Sequence, residues 1–301
     1  MYTRMLVPLD GSKLAENVLP YARSLAGALH LRIDLLGVVE SLDFARTTHA
    51  GHVRDFDPLV EAAMQEGKRY LESIAGSFGD TEVSYAVEHG VADKTIIENA
   101  GGDKETLIAM ATRGRSGIHR WLMGSVAEKV LRGATNSLLL VRGEEGGKTD
   151  GAASLKSVVV PLDGSRLAET VLPHAIELAK KLGLEIVLAR AYQPPLSAYA
   201  GADAPYIPNR DALLTLVKEE AGAYLDAKVN ELKANGIEKV SSISMFGSGA
   251  DEIIDLGRNT PDNLIAMCTH RRSGVNRWVL GSVTEKVVRH SGDPVLVVRA
   301  E

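Results

Sequence analysis

Short apolar runs alternate with amphipathic segments along the whole chain. In the first half, the runs "MLVPL", "LRIDLLGVV", "TEVSYAVE", "TLIAMAT" and "SLLLV" predict five strands. Between the first two runs, Leu14, Val18, Ala22, Leu25 and Leu29 recur at helical spacing and predict a helix. Alternation of apolar strands with helices is typical of a parallel sheet that is covered on both faces. The pattern therefore predicts an α/β fold.

The same order of segments occurs twice. "MLVPLDGSKLAENVLPYA" at residues 5–22 recurs as "VVVPLDGSRLAETVLPHA" at 158–175, and the stretch at 114–142 recurs at 271–299. A period this long predicts two whole domains rather than a solenoid. We expect domains at residues 1–143 and 155–301, joined by the glycine-rich segment "EEGGKTDGAAS" at 144–154, which has the composition of a flexible linker.

Each predicted domain carries a proline within its first helical segment. Pro20 lies in the first copy and Pro173 at the matching place in the second. A proline in a helix interior removes one intrahelical hydrogen bond, so we expect both helices to be kinked there.

Composition limits the classes of partner. The chain has 301 residues, of which 45% are hydrophobic and 24% charged, as in ordinary globular proteins. The net charge of −5 gives no argument for a nucleic-acid partner. No apolar stretch approaches the roughly 18 residues that span a bilayer. The single cysteine, Cys268, excludes an intramolecular disulfide and fits a reducing compartment. We expect a cytoplasmic protein that contacts neither nucleic acid nor a membrane.

Two glycine-bearing turns fall at predicted strand ends. One is "PLDGS" at residues 8–12, and the other ends in Gly124 and Ser125, at the start of a predicted helix. In open parallel sheets, ligands bind at the carboxyl ends of the strands, and a helix N-terminus can hold phosphate. A structural interpretation is also open, because Ser125 and Glu128 fit a capping box, which needs no ligand. Ser282 and Glu285 fit the same motif.

These motifs, in this order and in both halves, resemble the universal stress protein family in its tandem two-domain form. Nucleotide-binding members of that family carry the pattern Gly-x2-Gly-x9-Gly-Ser/Thr after the fourth strand. The corresponding residues of the first copy are Ala111, Gly114, Gly124 and Ser125. The resemblance implies two tandem doubly wound domains, each with a five-stranded parallel sheet of order 3-2-1-4-5 and helices on both faces. It also implies ATP or a related adenine nucleotide between strands one and four, with Mg²⁺ as an open addition.

The resemblance assigns binding residues position by position. In the first copy, the nucleoside, ribose and phosphates would lie along Pro8, Leu9, Asp10, Val38, Met110, Ala111, Arg113, Gly114, Gly124, Ser125, Val126 and Ala127. In the second copy, the matching residues are Pro161, Leu162, Asp163, Ala191, Met267, Cys268, His270, Arg271, Gly281, Ser282, Val283 and Thr284.

The two copies depart from the family pattern to different degrees. Ala111 adds only a methyl group in place of the first glycine, whereas Cys268 is larger. Arg271 replaces Gly114 with a long side chain, which either fills the phosphate pocket or binds phosphate through its guanidinium group. We therefore expect the first copy to be the stronger ATP site and the second to be weaker or unoccupied.

Three other sequence features could belong to a functional site, but each has a simpler structural interpretation. "RGEEGGKT" at residues 142–149 nearly matches a P-loop, but no apolar helix follows it, and we interpret it as linker. His49 and His52, with two nearby aspartates, could bind a divalent metal, although a solvated loop is the preferred interpretation. A lid over the nucleotide cleft is a further alternative for this loop. Cys268 has no histidine partner evident in the sequence and is not predicted to be a nucleophile.

The chain shows no Ser-His-Asp order, paired carboxylate motif or zinc spacing, so the sequence predicts no enzyme. The leading hypothesis is an ATP-binding stress-response regulator that acts through ligand-dependent conformation or partner binding. The alternatives are an interaction protein with degenerate sites and a slow ATP hydrolase.

The fifth strands predict how the copies assemble. "SLLLV" at residues 137–141 and "PVLVV" at 294–298 are short, apolar and at a sheet edge in the family's strand order. A linker of about a dozen residues raises their effective concentration to the millimolar range. We expect the copies to pair through these strands within one chain. Pairing of whole chains into a homodimer stays an open alternative that needs another surface.

Overall fold

A computed structural model describes residues 1–40, 57–101, 103–113, 123–194, 210–271, 278–279 and 281–300. Strands and helices alternate through both halves. The elements of the first half are β1 (Arg4–Pro8), a 3-10 turn (Ala15–Val18), α1 (Leu19–Leu29), β2 (Arg32–Val39), α2 (Asp57–Ala75), a 3-10 turn (Gly76–Phe78), β3 (Val83–His89), α3 (Ala92–Ala100), β4 (Thr106–Arg113), α4 (Ser125–Gly133) and β5 (Leu138–Gly143).

The second half repeats this order with three differences. A short helix, α5, replaces the first 3-10 turn, no 3-10 turn follows α7 in the described part of the chain, and a two-residue strand, β10, precedes the last helix. The elements are β6 (Ser157–Pro161), α5 (Arg166–Glu169), α6 (Leu172–Leu182), β7 (Glu185–Tyr192), α7 (Arg210–Ala234), β8 (Val240–Phe246), α8 (Gly249–Asn259), β9 (Asn263–Arg271), β10 (Trp278–Val279), α9 (Ser282–His290) and β11 (Val295–Arg299).

The strands of each half form a parallel sheet of the predicted order. The first runs β3-β2-β1-β4-β5, and the second runs β8-β7-β6-β9-β11. Every pairing within these two runs is parallel, and only β10 adds an antiparallel extension to β9. The predicted α/β class and the 3-2-1-4-5 order are therefore confirmed. The order reverses between the first and fourth strands, which is where ligands bind in open sheets of this kind.

The two sheets join edge to edge at their fifth strands. β5 and β11 pair antiparallel, with Leu139 opposite Leu296 and Leu140 opposite Val295. Successive residues of a strand face opposite sides, so the joined sheet has an apolar layer on each face. Leu139 and Leu296 are fully buried in the same layer. One core therefore continues from the first copy into the second.

Ion pairs related by an approximate twofold axis flank this junction. Arg132 of α4 contacts Glu285 of α9 at 3.1 Å, and Arg289 of α9 contacts Glu128 of α4 at 3.0 Å. Next to them, the guanidinium group of Arg299 donates to the backbone oxygens of Asn136 and Leu131 and to Thr269 Oγ1. Burial lowers the pKa of Arg299 to about 10. The junction thus combines backbone pairing with cationic contacts to both copies.

The expected kinks at Pro20 and Pro173 are wrong. Pro20 is the second residue of α1, and Pro173 is the second residue of α6. The N–H groups of a helix's first turn have no intrahelical acceptor, so a proline there removes no hydrogen bond. The chain instead breaks before each proline, into the 3-10 turn of the first copy and into α5 of the second.

The segment between β5 and β6 has no regular secondary structure but contacts the first copy. Arg23 of α1 donates to the backbone oxygens of Thr149 and Gly151, at 2.7 and 2.9 Å. Asn17 donates to Glu144 O, and the amide of Ala153 donates to Pro20 O at 2.8 Å. The segment predicted as a flexible linker therefore lies along the start of α1.

None of the helices among the described residues combines the length and the apolar character that crossing a membrane requires.

Candidate functional site

A cleft opens at the carboxyl ends of β1 and β4, where the strand order reverses. Its cavity volume is about 200 Å³. The β1 end, the β2 end, α3, the β4 end and the start of α4 each contribute to its wall. The described lining residues are Pro8, Leu9, Asp10, Ser12, Leu14, Ala15, Leu36, Val38, Ala92, Ile96, Met110, Ala111, Gly124, Ser125, Val126 and Ala127.

The turn after β1 is fixed by short-range hydrogen bonds. Asp10 Oδ1 accepts from the Ser12 amide at 3.0 Å and from Ser12 Oγ at 2.6 Å. Ser12 Oγ in turn accepts from the Ala15 amide at 3.1 Å. Gly11, between them, has a φ of +78°, which a side chain would disfavour. An aspartate that accepts from the amide two residues further along the chain commonly closes such turns, so "DGS" folds locally as its sequence dictates.

The start of α4 differs from the capping-box interpretation. The N-cap residue is Gly124, with φ −59° and ψ 145°, and no side chain caps the helix. Ser125 is the first helical residue, and the Glu128 amide donates to Gly124 O at 2.9 Å. The capping box at Ser125 and Glu128 is therefore wrong. Ser125 is not at the N-cap position, from which a side-chain oxygen accepts a hydrogen bond from the N2 or N3 amide.

As a consequence, no side chain of the described residues caps the first-turn amides of α4. A helix carries free N–H groups and the positive end of its dipole at this point. The residues that supply these amides, Ser125, Val126 and Ala127, line the cleft. The geometry suits an anionic group held by backbone N–H donors.

The second copy builds a matching cleft of about 280 Å³. Asp163 Oδ1 accepts from the Ser165 amide at 2.8 Å, and Ser165 Oγ caps α5. Gly281 is the N-cap residue of α9, with φ −57° and ψ 145°, and again no side chain caps the helix. The capping box expected at Ser282 and Glu285 is therefore also wrong. The described lining residues are Pro161, Leu162, Asp163, Ser165, Leu167, Ala168, Ala189, Ala191, Gly249, Ile253, Met267, Cys268, Gly281, Ser282, Val283 and Thr284.

The structure brings together most of the residues that the sequence assigns to each site. Every assigned residue of the first copy lines the cleft except Arg113, which ends β4, and Gly114, which lies outside the described residues. Every assigned residue of the second copy lines its cleft except His270 and Arg271, at the end of β9. The backbones of His270 and Arg271 pair with Val279 and Trp278 of β10, and the structure describes only the backbone of these two residues.

Sequence reasoning missed the wall that the helix after the third strand of each copy, α3 or α8, provides. Ala92 and Ile96 of α3 line the first cleft, and Gly249 and Ile253 line the second. The signal was available, because a helix that follows strand three begins at the same carboxyl edge as the predicted turns. The other missed lining residues are Ser12, Leu14, Ala15 and Leu36, with Ser165, Leu167, Ala168 and Ala189 in the second copy.

Cys268 occupies a half-buried position in the wall of the second cleft. Its Sγ lies 2.9 Å from Thr170 Oγ1, and burial raises the pKa of the thiol. A thiol with a raised pKa has little thiolate at neutral pH, and thiolate is the nucleophilic form. This environment agrees with the interpretation that Cys268 is not a nucleophile.

The remaining candidates have little support in the described part of the chain. The P-loop-like segment, 142–149, spans the end of β5 and the linker, and no helix follows it before β6. The metal candidate around His49 and His52 lies outside the described residues. Among the residues that are described, no group of three or more histidine, cysteine, aspartate or glutamate side chains could hold a metal ion.

Comparison with known proteins gives a consistent family. A family model described as "Universal stress protein family" matches residues 1–142 and again 154–299. The chain is 31% identical over 144 residues to a universal stress protein of Methanocaldococcus jannaschii, covering 48% of this chain and 82% of that protein. A universal stress protein of Mycolicibacterium smegmatis is 22% identical over 242 residues, covering 79% of this chain and 76% of that protein.

The whole fold also occurs in a solved structure. A universal stress protein from Archaeoglobus fulgidus superposes with a TM-score of 0.68 and 22% identity, covering 98% of both chains. At this identity the likeness shows the fold, and both of its halves are matched.

Proposed function

The chain belongs to the universal stress protein family, and on this premise we propose that it binds an adenine nucleotide, ATP, in its two clefts. The bound nucleotide would act on the conformation or the partners of the protein in a stress response. One observation carries the proposal: each copy aims an uncapped helix start, with glycine as its N-cap residue, into a cleft at the carboxyl ends of its first and fourth strands.

The phosphates would lie against the starts of α4 and α9. Gly124 and Gly281 have extended backbone angles that any residue can adopt, so the glycine is not required by conformation. A Cβ atom placed on Gly281 would meet no atom within 4 Å. Packing therefore does not require this glycine either. Close approach of an anionic ligand to the backbone does explain a missing side chain there.

The apolar half of each cleft would take the base. Val38 at the end of β2, Met110 of β4 and Ile96 of α3 provide this surface in the first copy, and Ala191, Met267 and Ile253 provide it in the second. Ligand pockets commonly pair an apolar wall with a few polar groups that set orientation. We propose that Asp10 and Asp163 lie at the nucleoside end.

Mg²⁺ would arrive with the phosphates rather than occupy a site of its own. The described lining of the first cleft offers one carboxylate, Asp10, and the hydroxyl groups of Ser12 and Ser125. Mg²⁺ in nucleotide sites is held by one or two carboxylates together with phosphate oxygens and water. The donors present fit that mode.

We propose binding rather than turnover. The carboxylate of Asp10 already accepts two hydrogen bonds from Ser12, and the Cys268 thiol has a raised pKa. The described lining residues include no histidine that could act as a general base. The rival proposal, a scaffold with degenerate sites, draws on Ala111, Cys268 and Arg271 in place of family glycines.

The assembly that we propose follows from the joined sheet. Residues 1–143 and 155–301 would be two units that stay paired through β5 and β11 in solution, and whole chains could form a homodimer through another surface. The single cysteine and the nucleotide ligand fit the cytoplasm.

Mass spectrometry of the native purified chain tests the proposal. We expect a mass increase equal to one or two adenine nucleotides per chain, or its appearance when ATP is added to stripped protein. A chain that gains no nucleotide mass under either condition would favour the scaffold. Phosphate release over time would show an enzyme instead.

A further inference from the structure

The first copy contains a second cavity, on the opposite face of the sheet from the nucleotide cleft. It lies between α2 and the carboxyl ends of β1, β2 and β3, and its volume is about 350 Å³. We call it the cation pocket and define it by Asp10, Gly37, Glu66, Tyr70 and Val87. Tyr70 and Val87 pack on the apolar layer beneath α1 and α2, whereas the nucleotide cleft opens on the other layer.

In the second copy, the corresponding space holds the side chain of Arg190. Strand register gives the correspondence, because Pro8 pairs with Leu36 in the first copy and Pro161 pairs with Ala189 in the second. The next residue along the strand is Gly37 in one copy and Arg190 in the other. The second copy therefore places an arginine side chain at a position where the first copy has none.

The guanidinium group of Arg190 makes specific contacts. Its carbon lies 4.9 Å from the centre of the Tyr224 ring, and its Nη2 lies 3.1 Å from Glu220 Oε1. The side chain is only 17% exposed. A cation over an aromatic face that also pairs with a carboxylate is a recurrent arrangement for guanidinium recognition.

The first copy keeps the groups that make these contacts. Tyr70 donates to Glu16 as Tyr224 donates to Glu169, at 3.3 and 2.8 Å. Glu66 precedes Tyr70 by one helical turn, as Glu220 precedes Tyr224. The described residues that line the cation pocket include the carboxylates of Asp10 and Glu66 and no basic side chain.

The electrostatic field in the two copies differs in the same sense. Burial is the first cause that raises the pKa of Tyr70, and Glu16 and Asp10 raise it further. Burial and Glu169 also raise the pKa of Tyr224, but Arg190 opposes them. Among the described residues, the aromatic site of the first copy thus has the carboxylates but no guanidinium group over the ring.

We propose that the cation pocket binds the guanidinium group of an external ligand, in the place that the Arg190 side chain takes in the second copy. The ligand is either a small guanidinium compound or an arginine side chain of a protein partner. This site lies on the other face of the sheet from the nucleotide cleft and does not depend on nucleotide binding, although Leu9, Asp10 and Val38 line both.

The copies also suggest how to close and open the pocket. A Cβ atom on Gly37 would lie 3.3 Å from Val87 Cγ2, and the residue that pairs with Arg190 is the smaller Ser244. Gly37→Arg combined with Val87→Ser therefore transfers the filled arrangement to the first copy. Arg190→Gly combined with Ser244→Val makes the reciprocal change in the second copy.

The test is a calorimetric titration of the full chain with methylguanidinium, with urea as the uncharged control. We expect one site per chain in the parent, none after Gly37→Arg with Val87→Ser, and two after Arg190→Gly with Ser244→Val. Tyr70→Leu and Glu66→Gln, each alone, should weaken binding about tenfold. Thermal unfolding of each variant shows whether it is folded. If Gly37→Arg with Val87→Ser does not fold, Tyr70→Leu and Glu66→Gln still test the proposal.

Two further titrations distinguish the sources of the ligand. If the ligand is a free small molecule, agmatine should bind more tightly than an acetylated and amidated Gly-Arg-Gly peptide. If it is an arginine of a protein partner, the peptide should bind more tightly. No binding of methylguanidinium by the parent at concentrations up to about 10 mM would overturn the proposal. Equal binding of urea, or full binding by the folded filled variant, would overturn it as well.

Discussion

At the residue scale, two short stretches line the first cleft, the turn after β1 and the start of α4. Asp10, Gly11 and Ser12 form the expected turn, because an aspartate followed by glycine and serine closes through its own neighbours. Gly124 and Ser125 were placed correctly at a helix start, yet the cap is one residue earlier than expected. The motif alone could not locate the cap, because a helix boundary inferred from sequence is uncertain by one or two residues.

The single cysteine gives a direct probe of the second cleft. We predict that Cys268 reacts with a disulfide reagent more slowly in the native chain than in the unfolded chain, because burial raises its pKa and limits access. Added ATP should slow the reaction further, since Cys268 lines the cleft. The rate of thiol release, followed by absorbance, measures both effects.

Matched variants separate the two clefts in the same assay. Gly281→Val should remove the protection by ATP, whereas Gly124→Val should leave it intact because that residue lines the other cleft. A native rate as high as that of the unfolded chain would refute the burial of the thiol. Protection that survives Gly281→Val would place the nucleotide elsewhere.

At the element scale, apolar periodicity predicted the strands well and merged two helical segments into one. The run from Leu14 to Leu29 keeps a helical period across the break at Val18, because the 3-10 turn and α1 bury the same side. Pro20 marks the start of the second segment rather than a kink within one helix. The two interpretations differ only in where the proline lies relative to the first turn, which periodicity does not reveal.

Helix α6 carries a histidine whose titration should affect stability. The ring of His174 lies 5.2 Å from that of Tyr2, and burial, with a smaller contribution from the N-terminal charge, lowers its pKa. The unfolded chain therefore binds this proton more readily than the folded chain. The resulting loss in the free energy of unfolding is absent above about pH 6.5 and grows as the pH falls from there toward the pKa of His174 in the folded chain.

We predict that His174→Tyr, which copies Tyr21 of the first copy, reduces this loss of stability. Urea midpoints measured between about pH 7.5 and pH 5.5 should fall more steeply for the parent than for the variant. Parallel curves for the two proteins would mean that other groups cause the acid sensitivity.

At the scale of the whole molecule, the family resemblance implied the strand order of each copy, and the structure places the two fifth strands side by side. The duplication and the apolar fifth strands were visible in the sequence. The reciprocal contacts of Arg132 with Glu285 and of Arg289 with Glu128 were not, because nothing in a linear charge pattern sets the distance between α4 and α9.

Separate halves test whether this junction holds in solution. Chains of residues 1–145 and 153–301, mixed at about 50 µM, should associate in analytical ultracentrifugation. Arg132→Glu in the first half should weaken association about fivefold, because it places a like charge beside Glu285. Glu285→Arg in the second half should restore part of the loss. Halves that stay apart at this concentration would contradict the pairing.

The central claim, that each copy holds an adenine nucleotide at its glycine-capped helix start, is tested most directly by calorimetric titration of stripped protein with ATP. We expect binding to the parent, with the first cleft the tighter because Arg271 and Cys268 alter the second. Gly124→Val should remove the tighter component, Gly281→Val the weaker one, and the double variant all binding, each without a loss of thermal stability. Unchanged ATP affinity in the folded double variant would show that the nucleotide does not bind at these helix starts.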